Sequence, residues 1–333
     1  MPSAKQLRQI FQTVNSGDKD SFRRIAEEVI RDERAKQHHL LANDLERILY
    51  GKTDEKSSLL HLNSALPQDK ERGVPLLSLL QPARNLEDIV LSDENLSVVQ
   101  EILLEYNRKD ILRAHGLRAA DKLLFYGPPG CGKTVTAEVI AYELELPLAV
   151  LRIDSIVSSF LGETSANLRG VFEFLQSKKM VVLFDEFDAV GRERADKSEH
   201  GEIKRVVNAL LQMLDNYKGE SLLIAATNHE STLDTAVWRR FEEVLEFNRP
   251  NIEQIKKLLA LKLRGVRQNL IRDTAAWAKS FNGLTHADIE RILRRAIKEM
   301  VLQNREFLED KHIEASLKRE EARQKTIQRS LQS

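Results

Sequence analysis

The stretch Gly127-Pro128-Pro129-Gly130-Cys131-Gly132-Lys133-Thr134 lies between an apolar run, Leu123-Leu124-Phe125-Tyr126, and a helical pattern from Val135 to Leu144. Strand, glycine-rich loop and helix, in that order, are the context that a G-x-x-x-x-G-K-[ST] motif requires. Glycines let the backbone curl until successive N–H groups point inward around an anion. The following helix adds the positive end of its dipole at the same point. Lys133 is then placed to reach the β- and γ-phosphates, and the Thr134 hydroxyl to take one position on a magnesium ion. The loop reads as a nucleotide phosphate site that includes Val135, the first residue past the motif.

Working outward, short apolar runs alternate with helical stretches. Leu148 to Ile153 reads as a strand, Thr164 to Gln176 as a helix, and Met180 to Phe184 as a buried strand. A helix from Ile203 to Leu214, a strand from Leu222 to Ala226, a short helix from Leu233 to Arg240 and a strand from Val244 to Phe247 complete the series. This alternation predicts an α/β fold, a parallel sheet flanked by helices. From Ile252 onward no strand is apparent, and stripes such as Ile255, Leu258, Leu259 and Ile289, Ile292, Leu293, Ile297 predict an all-helical domain. The polar, basic stretch from Lys311 to Ser333 reads as a solvated helix.

Upstream, Leu7, Ile10, Phe11 and Val14 mark one helix, Phe22, Ile25, Ala26, Val29 and Ile30 a second, and Leu41, Leu45, Ile48 and Leu49 a third. They predict a small helical module that is either a solvated spacer or a recruitment element. Pro67, Pro75 and Pro82 then interrupt any long helix, with apolar anchors at Leu76-Leu77 and Leu79-Leu80. The expected division is an N-terminal module over 1–72, a linker over 73–91, a nucleotide-binding α/β domain over 92–250 and a helical domain with a polar tail over 251–333.

The 333 residues carry 51 Lys plus Arg against 51 Asp plus Glu, so no global field attracts nucleic acid or membrane. The single cysteine excludes an internal disulfide and suits a reducing compartment. Neither the start of the chain nor any later run has the apolar length of a signal peptide or membrane span. A soluble, cytoplasmic protein is expected.

Val181-Val182-Leu183-Phe184-Asp185-Glu186 is an apolar strand ending in two acids. At the carboxyl end of a parallel strand these face the ligand crevice beside the phosphate loop. Asp185 would hold Mg²⁺ directly or through its water, and Glu186 would accept a proton from, or orient, the water attacking the γ-phosphate. Asn228 ends the Ala225-Ala226-Thr227 strand, where an amide could touch both the γ-phosphate and that water. The adjacent Arg239 and Arg240 could supply a transition-state cation to a site that otherwise holds one lysine and no arginine. Cys131, beside Lys133 and a helix N-terminus, is in surroundings that favour thiolate.

In order, G-P-P-G-C-G-K-T, V-V-L-F-D-E-F-D-A-V, L-I-A-A-T-N and L-D-T-A-V-W-R-R-F closely resemble the ATPase module of the AAA proteins, over roughly Ser92 to Arg305. The resemblance implies ATP and Mg²⁺ as cofactors, Walker A at Gly127 to Thr134, Walker B at Asp185 and Glu186, and sensor 1 at Asn228. It implies a P-loop NTPase-like sheet followed by a helical lid. It also implies arginine fingers at Arg239 and Arg240 acting on a neighbouring subunit in a homo-oligomeric ring, usually a hexamer. Asp215 resembles the family's inter-subunit signalling position, with Asn216 and Tyr217 replacing the usual glycine and phenylalanine. Ser159-Phe160-Leu161-Gly162-Glu163 is similar to the pore loop of protein-threading members, Phe160, Leu161 and Gly162 being the client contacts; Arg192 to Glu202 would be the second pore loop. Leu284-Thr285-His286-Ala287-Asp288 resembles the lid motif that packs against adenine, usually S-G-A-D, with His286 and Ala287 beside the base and the His286 ring in place of glycine. Arg291, Arg294 and Arg295 read as surface residues rather than a sensor 2.

The expected function is an ATP-driven remodeller that threads or pulls a protein client through a ring pore, with a separately encoded protease as a conceivable partner. The eight histidines include no H-E-x-x-H, so the chain shows no zinc-protease site of its own. Two rivals remain: a nucleic-acid remodeller, against which the neutral charge and apolar pore loop speak, and an oligomerising nucleotide switch.

Overall fold

A computed structural model describes residues 13, 19–35, 66–69, 73–152, 161–190 and 200–332. The chain divides into two compact units, residues 1–66 and 67–333. Within the first, helix α1 spans Lys19–Ala35 and buries Val29 and Ile30 from the expected stripe. The helices read around Leu7–Val14 and Leu41–Leu49 fall outside the described residues, Thr13 apart.

The second unit is built on a six-stranded sheet of order β1-β3-β4-β5-β2-β6. Its strands are β1 (Ser78–Leu80), β2 (Lys122–Tyr126), β3 (Leu148–Arg152), β4 (Val181–Asp185), β5 (Leu222–Thr227) and β6 (Glu243–Glu246). All pair in parallel except β1, which adds antiparallel to β3 at one edge. The central strands are buried on both faces, every residue of Leu222–Thr227 included, because helices cover both sides. Those helices are α2 (Asp93–Asn107), α3 (Lys109–Ala114), α4 (Lys133–Glu143), α5 (Leu161–Gln176), α6 (His200–Asn216) and the short α7 (Thr235–Trp238). Ser92 caps α2 through a bond from the Asn95 amide, and Asn95 in turn donates to the Glu246 carbonyl, tying this helix to β6.

Helix α5 begins at Leu161, not Thr164, so Leu161 and Gly162 lie in its first turn and not in an open loop. Phe160, and 191–199 of the second pore loop, lie outside the described residues. Tyr217 is buried, and its hydroxyl accepts from the Ser221 amide at 3.0 Å, closing the turn between α6 and β5. A Cβ at Gly219 would fall 2.2 Å from that hydroxyl, so the glycine makes room for the ring.

A second core gathers Ile255, Leu258, Trp277, Phe281, Ile289, Ile292 and Leu293 in the helical region that follows. Its helices are α8 (Ile252–Lys262), α9 (Thr274–Ser280), α10 (His286–Leu302) and α11 (Asp310–Gln332). A two-residue parallel ladder, β7 (Gln268–Asn269) on β8 (Leu308–Glu309), pins the entry to α11. Helix α11 is not a solvated tail: His312, Ile313, Ser316 and Glu320 are buried. Arg291 and Arg295 of α10, both part-exposed, face Glu320. Among the described residues, no helix is long and apolar enough to cross a membrane.

Candidate functional site

Parallel pairing aligns Tyr126 with Thr227, and Phe184 with Ala225. The carboxyl ends of β2, β4 and β5 therefore share one edge of the sheet. Into that edge the phosphate loop is folded by three left-handed glycines, Gly127 (φ 128°), Gly130 (φ 77°) and Gly132 (φ 110°). A Cβ at Gly127 would lie 2.3 Å from the Phe247 carbonyl oxygen, so only glycine fits where the loop passes β6. Gly132 caps α4 without any side-chain hydrogen bond, which leaves the first amides of that helix directed at the loop.

A cavity of about 320 Å³ opens there, within the range of small-molecule sites. Its walls bring together Pro129 to Val135 of the loop and helix start, Asp185 and Glu186 after β4, Asn228 after β5, and His286 and Ala287 of the lid. Lys133 is buried, and its ammonium donates to the carbonyls of Gly127 (2.6 Å) and Pro128 (3.0 Å). Burial pushes its pKa down, with the Cys131 sulfur and the Asp185, Glu230 and Asp188 carboxylates opposing. Asp185 Oδ1 accepts from the Glu186 amide at 2.9 Å, and Glu186 has φ 54°, a left-handed conformation that a non-glycine residue adopts at a cost. Thr134 and Asp185 place a hydroxyl and a carboxylate on the cavity wall. Mg²⁺ takes few protein ligands and completes its shell with phosphate and water, so this sparse pair suits it.

The lid is fastened directly to the loop. The Ala287 amide donates to the Gly130 carbonyl at 3.0 Å. Thr285 caps α10, its side chain accepting from the Asp288 amide while Asp288 reaches back to the Thr285 amide and hydroxyl.

Arg239 and Arg240 do not line this cavity. Arg239 is exposed, whereas Arg240 Nε lies 3.1 Å from Asp215 Oδ2. Cys131 differs from the sequence expectation. It is 3% exposed, and burial pushes its thiol pKa up, despite opposition from the Lys133 and Arg249 charges. Sequence reasoning also missed a wall of the cavity. Arg84 and Asp88 to Leu91, from the segment read as a linker, line it with Leu258, Lys262 and Glu290. The only signal was the apolar Ile89-Val90-Leu91 directly before the Ser92 cap.

A glycine-shaped anion cradle at the carboxyl edge of a parallel sheet, closed by a helical lid, defines a P-loop nucleotide-binding protein. Residues 123–249 match the family described as "ATPase family associated with various cellular activities (AAA)". An uncharacterized AAA family ATPase of Sinorhizobium fredii is 40% identical over 315 residues, 95% of this chain and 94% of that protein. A putative 26S proteasome regulatory subunit homolog of Methanocaldococcus jannaschii is 30% identical over 234 residues, 69% of this chain and 62% of that protein. The proteasome-activating nucleotidase of Thermococcus onnurineus is 30% identical over 253 residues, 73% of this chain and 63% of that protein. The chain belongs to the AAA family of ATPases.

Proposed function

We propose that the protein is a Mg²⁺-dependent ATPase that assembles into a ring, expected to be hexameric, and uses hydrolysis to pull or thread a protein client. The observation that carries the reading is the convergence of Lys133, Asp185, Glu186 and Asn228 on one cavity while both arginines of the Arg239-Arg240 pair lie off it. Such a site binds and orients within one subunit; the arginine on its wall, Arg84, is paired with Glu138 at 3.4 Å, and a neighbour would supply the transition-state arginine. The proteasome-activating relatives support a protein client over nucleic acid, and a separate protease as partner; they match this chain over less than two thirds of their own length. The equal numbers of acidic and basic residues support the same choice.

In this reading Thr134 and Asp185 hold the metal ion, which supplies charge neutralisation at the phosphates. The Lys133 ammonium exchanges the Gly127 and Pro128 carbonyls for phosphate oxygens. Glu186 orients the attacking water and takes its proton, and the left-handed backbone that aims its side chain is the kind of local strain that functional positions retain. Asn228 holds water and γ-phosphate in line. Phe160, Leu161 and Gly162 contact the client.

The test uses a Glu186→Gln form. It should bind ATP normally and turn it over on the order of 10²–10⁴-fold more slowly, and its stalled complex should retain a protein client. Wild-type hydrolysis should rise with an unfolded protein and not with single-stranded DNA. Stimulation by DNA alone would remove the remodeller reading in favour of a nucleic-acid motor, and indifference to both would favour a nucleotide switch.

A further inference from the structure

Glu186 and Asn228 both line the cavity, but they stand on turns that follow different strands, β4 and β5. Asp188 lies two residues past Glu186, in the 3-10 turn Phe187–Val190, and Thr227 is the last residue of β5, directly before Asn228. Both are buried, Asp188 at 3% and Thr227 at 0% exposure, and neither lines the cavity. A buried hydroxyl or carboxylate is costly unless it is hydrogen-bonded. Here one hydroxyl serves two neighbours: Thr227 Oγ1 donates to Asp188 Oδ1 at 3.4 Å and accepts from the His229 amide at 3.1 Å.

The two bonds do different things. The one from the His229 amide spans Asn228, in the manner of a threonine side chain that closes a turn on its own backbone two residues on. It sets the direction in which the Asn228 side chain leaves the sheet. The one to Asp188 fastens that turn to the neighbouring turn, where Glu186 holds its left-handed backbone at φ 54°. At 3.4 Å this second bond is long for a hydroxyl on a carboxylate. Both groups are shielded from water, and the low local dielectric strengthens what remains.

We infer that Thr227 and Asp188 are positioning residues for hydrolysis: through one shared hydroxyl they hold Asn228 and Glu186 in fixed relation across the ends of two strands. The inference rests on the roles proposed above for Glu186 and Asn228. The phosphate cradle does not depend on this bridge, because Lys133 and the amides of α4 are set by the loop from Gly127 to Gly132. Loss of the bridge should therefore appear in turnover and not in ATP affinity.

The experiment measures equilibrium ATP binding and single-turnover hydrolysis, with the rate expressed per bound ATP so that unfolded protein does not count. Thr227→Val keeps the branched shape without the hydroxyl. It should leave affinity unchanged and slow hydrolysis by about 10- to 100-fold, the cost of a small misplacement at a reacting centre. Thr227→Ser, which keeps the hydroxyl, should restore most of the rate. In an Asn228→Ala background, Thr227→Val should cost much less than it does in wild type, because it acts through a group already gone; an unrelated structural defect would multiply instead. A wild-type rate in Thr227→Val would overturn the inference, as would a serine variant as slow as the valine one or two losses that multiply. Thr227→Ala carries the same expectations and decides the matter if the valine variant does not fold. Undiminished hydrolysis by Asn228→Ala, or no ATP binding by wild type, would instead overturn the reading of the site beneath it.

Discussion

Arg240 is paired with Asp215 of its own subunit, Nε to Oδ2 at 3.1 Å, and its guanidinium also donates to the Ala236 carbonyl. Arg239, its neighbour in sequence, is exposed and makes no ion pair with any described residue. The two arginines are therefore not equivalent: one is tethered to the end of α6, the other is available to reach outward. Arg239→Ala should cut hydrolysis on the order of 10³-fold while leaving ATP binding intact. Mixing a subunit carrying Arg239→Ala and Arg240→Ala with one carrying Lys133→Ala should restore part of the activity, because an intact site can then meet an intact arginine. Mixed rings without any recovery would show that the arginines do not act across subunits. Asp215→Asn, which removes only a half-exposed pair, should change stability by less than about 1 kcal/mol.

Gly130 couples the phosphate loop to the lid. A Cβ there would lie 3.0 Å from Thr285 Oγ1 and 3.1 Å from Ala287 Cβ, in a backbone with φ 77°. Gly130→Ala should therefore cost about 1–3 kcal/mol in backbone strain and also lift the start of α10 from the loop. Gly132→Ala meets nothing closer than 3.9 Å and should carry the strain alone. Hydrogen exchange separates them: amides at the start of α10 should lose protection in Gly130→Ala and not in Gly132→Ala. Equal protection in both would mean that the lid does not depend on this contact.

The sheet was legible because its signals are covalent in spacing and strongly apolar. The G-x-x-x-x-G-K-T run fixes Lys133 and Thr134 relative to one another, and buried strands such as Val181–Asp185 read as unbroken apolar runs. Strand β1 escaped notice because three residues on an edge, Ser78–Leu80, carry too little pattern, and what makes them a strand is pairing with β3, over sixty residues away. The wall formed by Ile89, Val90 and Leu91 was hidden for the same reason, as tertiary folding alone brings it to the loop. Helix α11 misled in a different way. Three of its buried positions, His312, Ser316 and Glu320, are polar residues spaced four apart, and a polar stripe reads as a solvated face until its partner helix is known.

Cys131 gives a test with a pH sign. Alkylating reagents attack the thiolate, and burial raises this thiol above its usual range. A raised pKa leaves less thiolate at neutral pH, so maleimide should react slowly at pH 7 and faster as pH climbs. The rate should still be rising above about pH 8.5, where an ordinary thiol levels off. Bound ATP should slow the reaction further. Fast labelling at pH 7 in folded protein would mean that the thiol is exposed in solution and that the loop opens readily.

Glu320 offers a stability contrast within one charged cluster. Its side chain is 1% exposed, and it accepts from Arg291 and from Arg323 (2.8 Å), with Arg295 at 3.8 Å. Arg291 also donates to Asp288 Oδ1 at 2.9 Å, and Asp288 Oδ2 accepts from the Thr285 hydroxyl at 2.8 Å. The carboxylate thus anchors α11 to α10 and, through two more residues, to the cap that rests on the phosphate loop. Glu320→Gln keeps the shape but removes the carboxylate on which three guanidinium groups converge, leaving Arg291 its pair with Asp288. Removing one partner of a buried ion pair costs about 3–5 kcal/mol. The arginines here retain some water, their side chains being 37%, 29% and 46% exposed, so a value on the order of 2–3 kcal/mol is expected by the same reasoning. Arg323→Ala removes the most exposed member and should cost less than about 1 kcal/mol. Denaturant melts on the two variants decide the matter, since both remove one charge from the same cluster. A large loss for Glu320→Gln with a small one for Arg323→Ala follows only if burial of the carboxylate dominates. Equal small losses would show that water reaches the cluster and that α11 is held by Ile313 and its apolar neighbours alone.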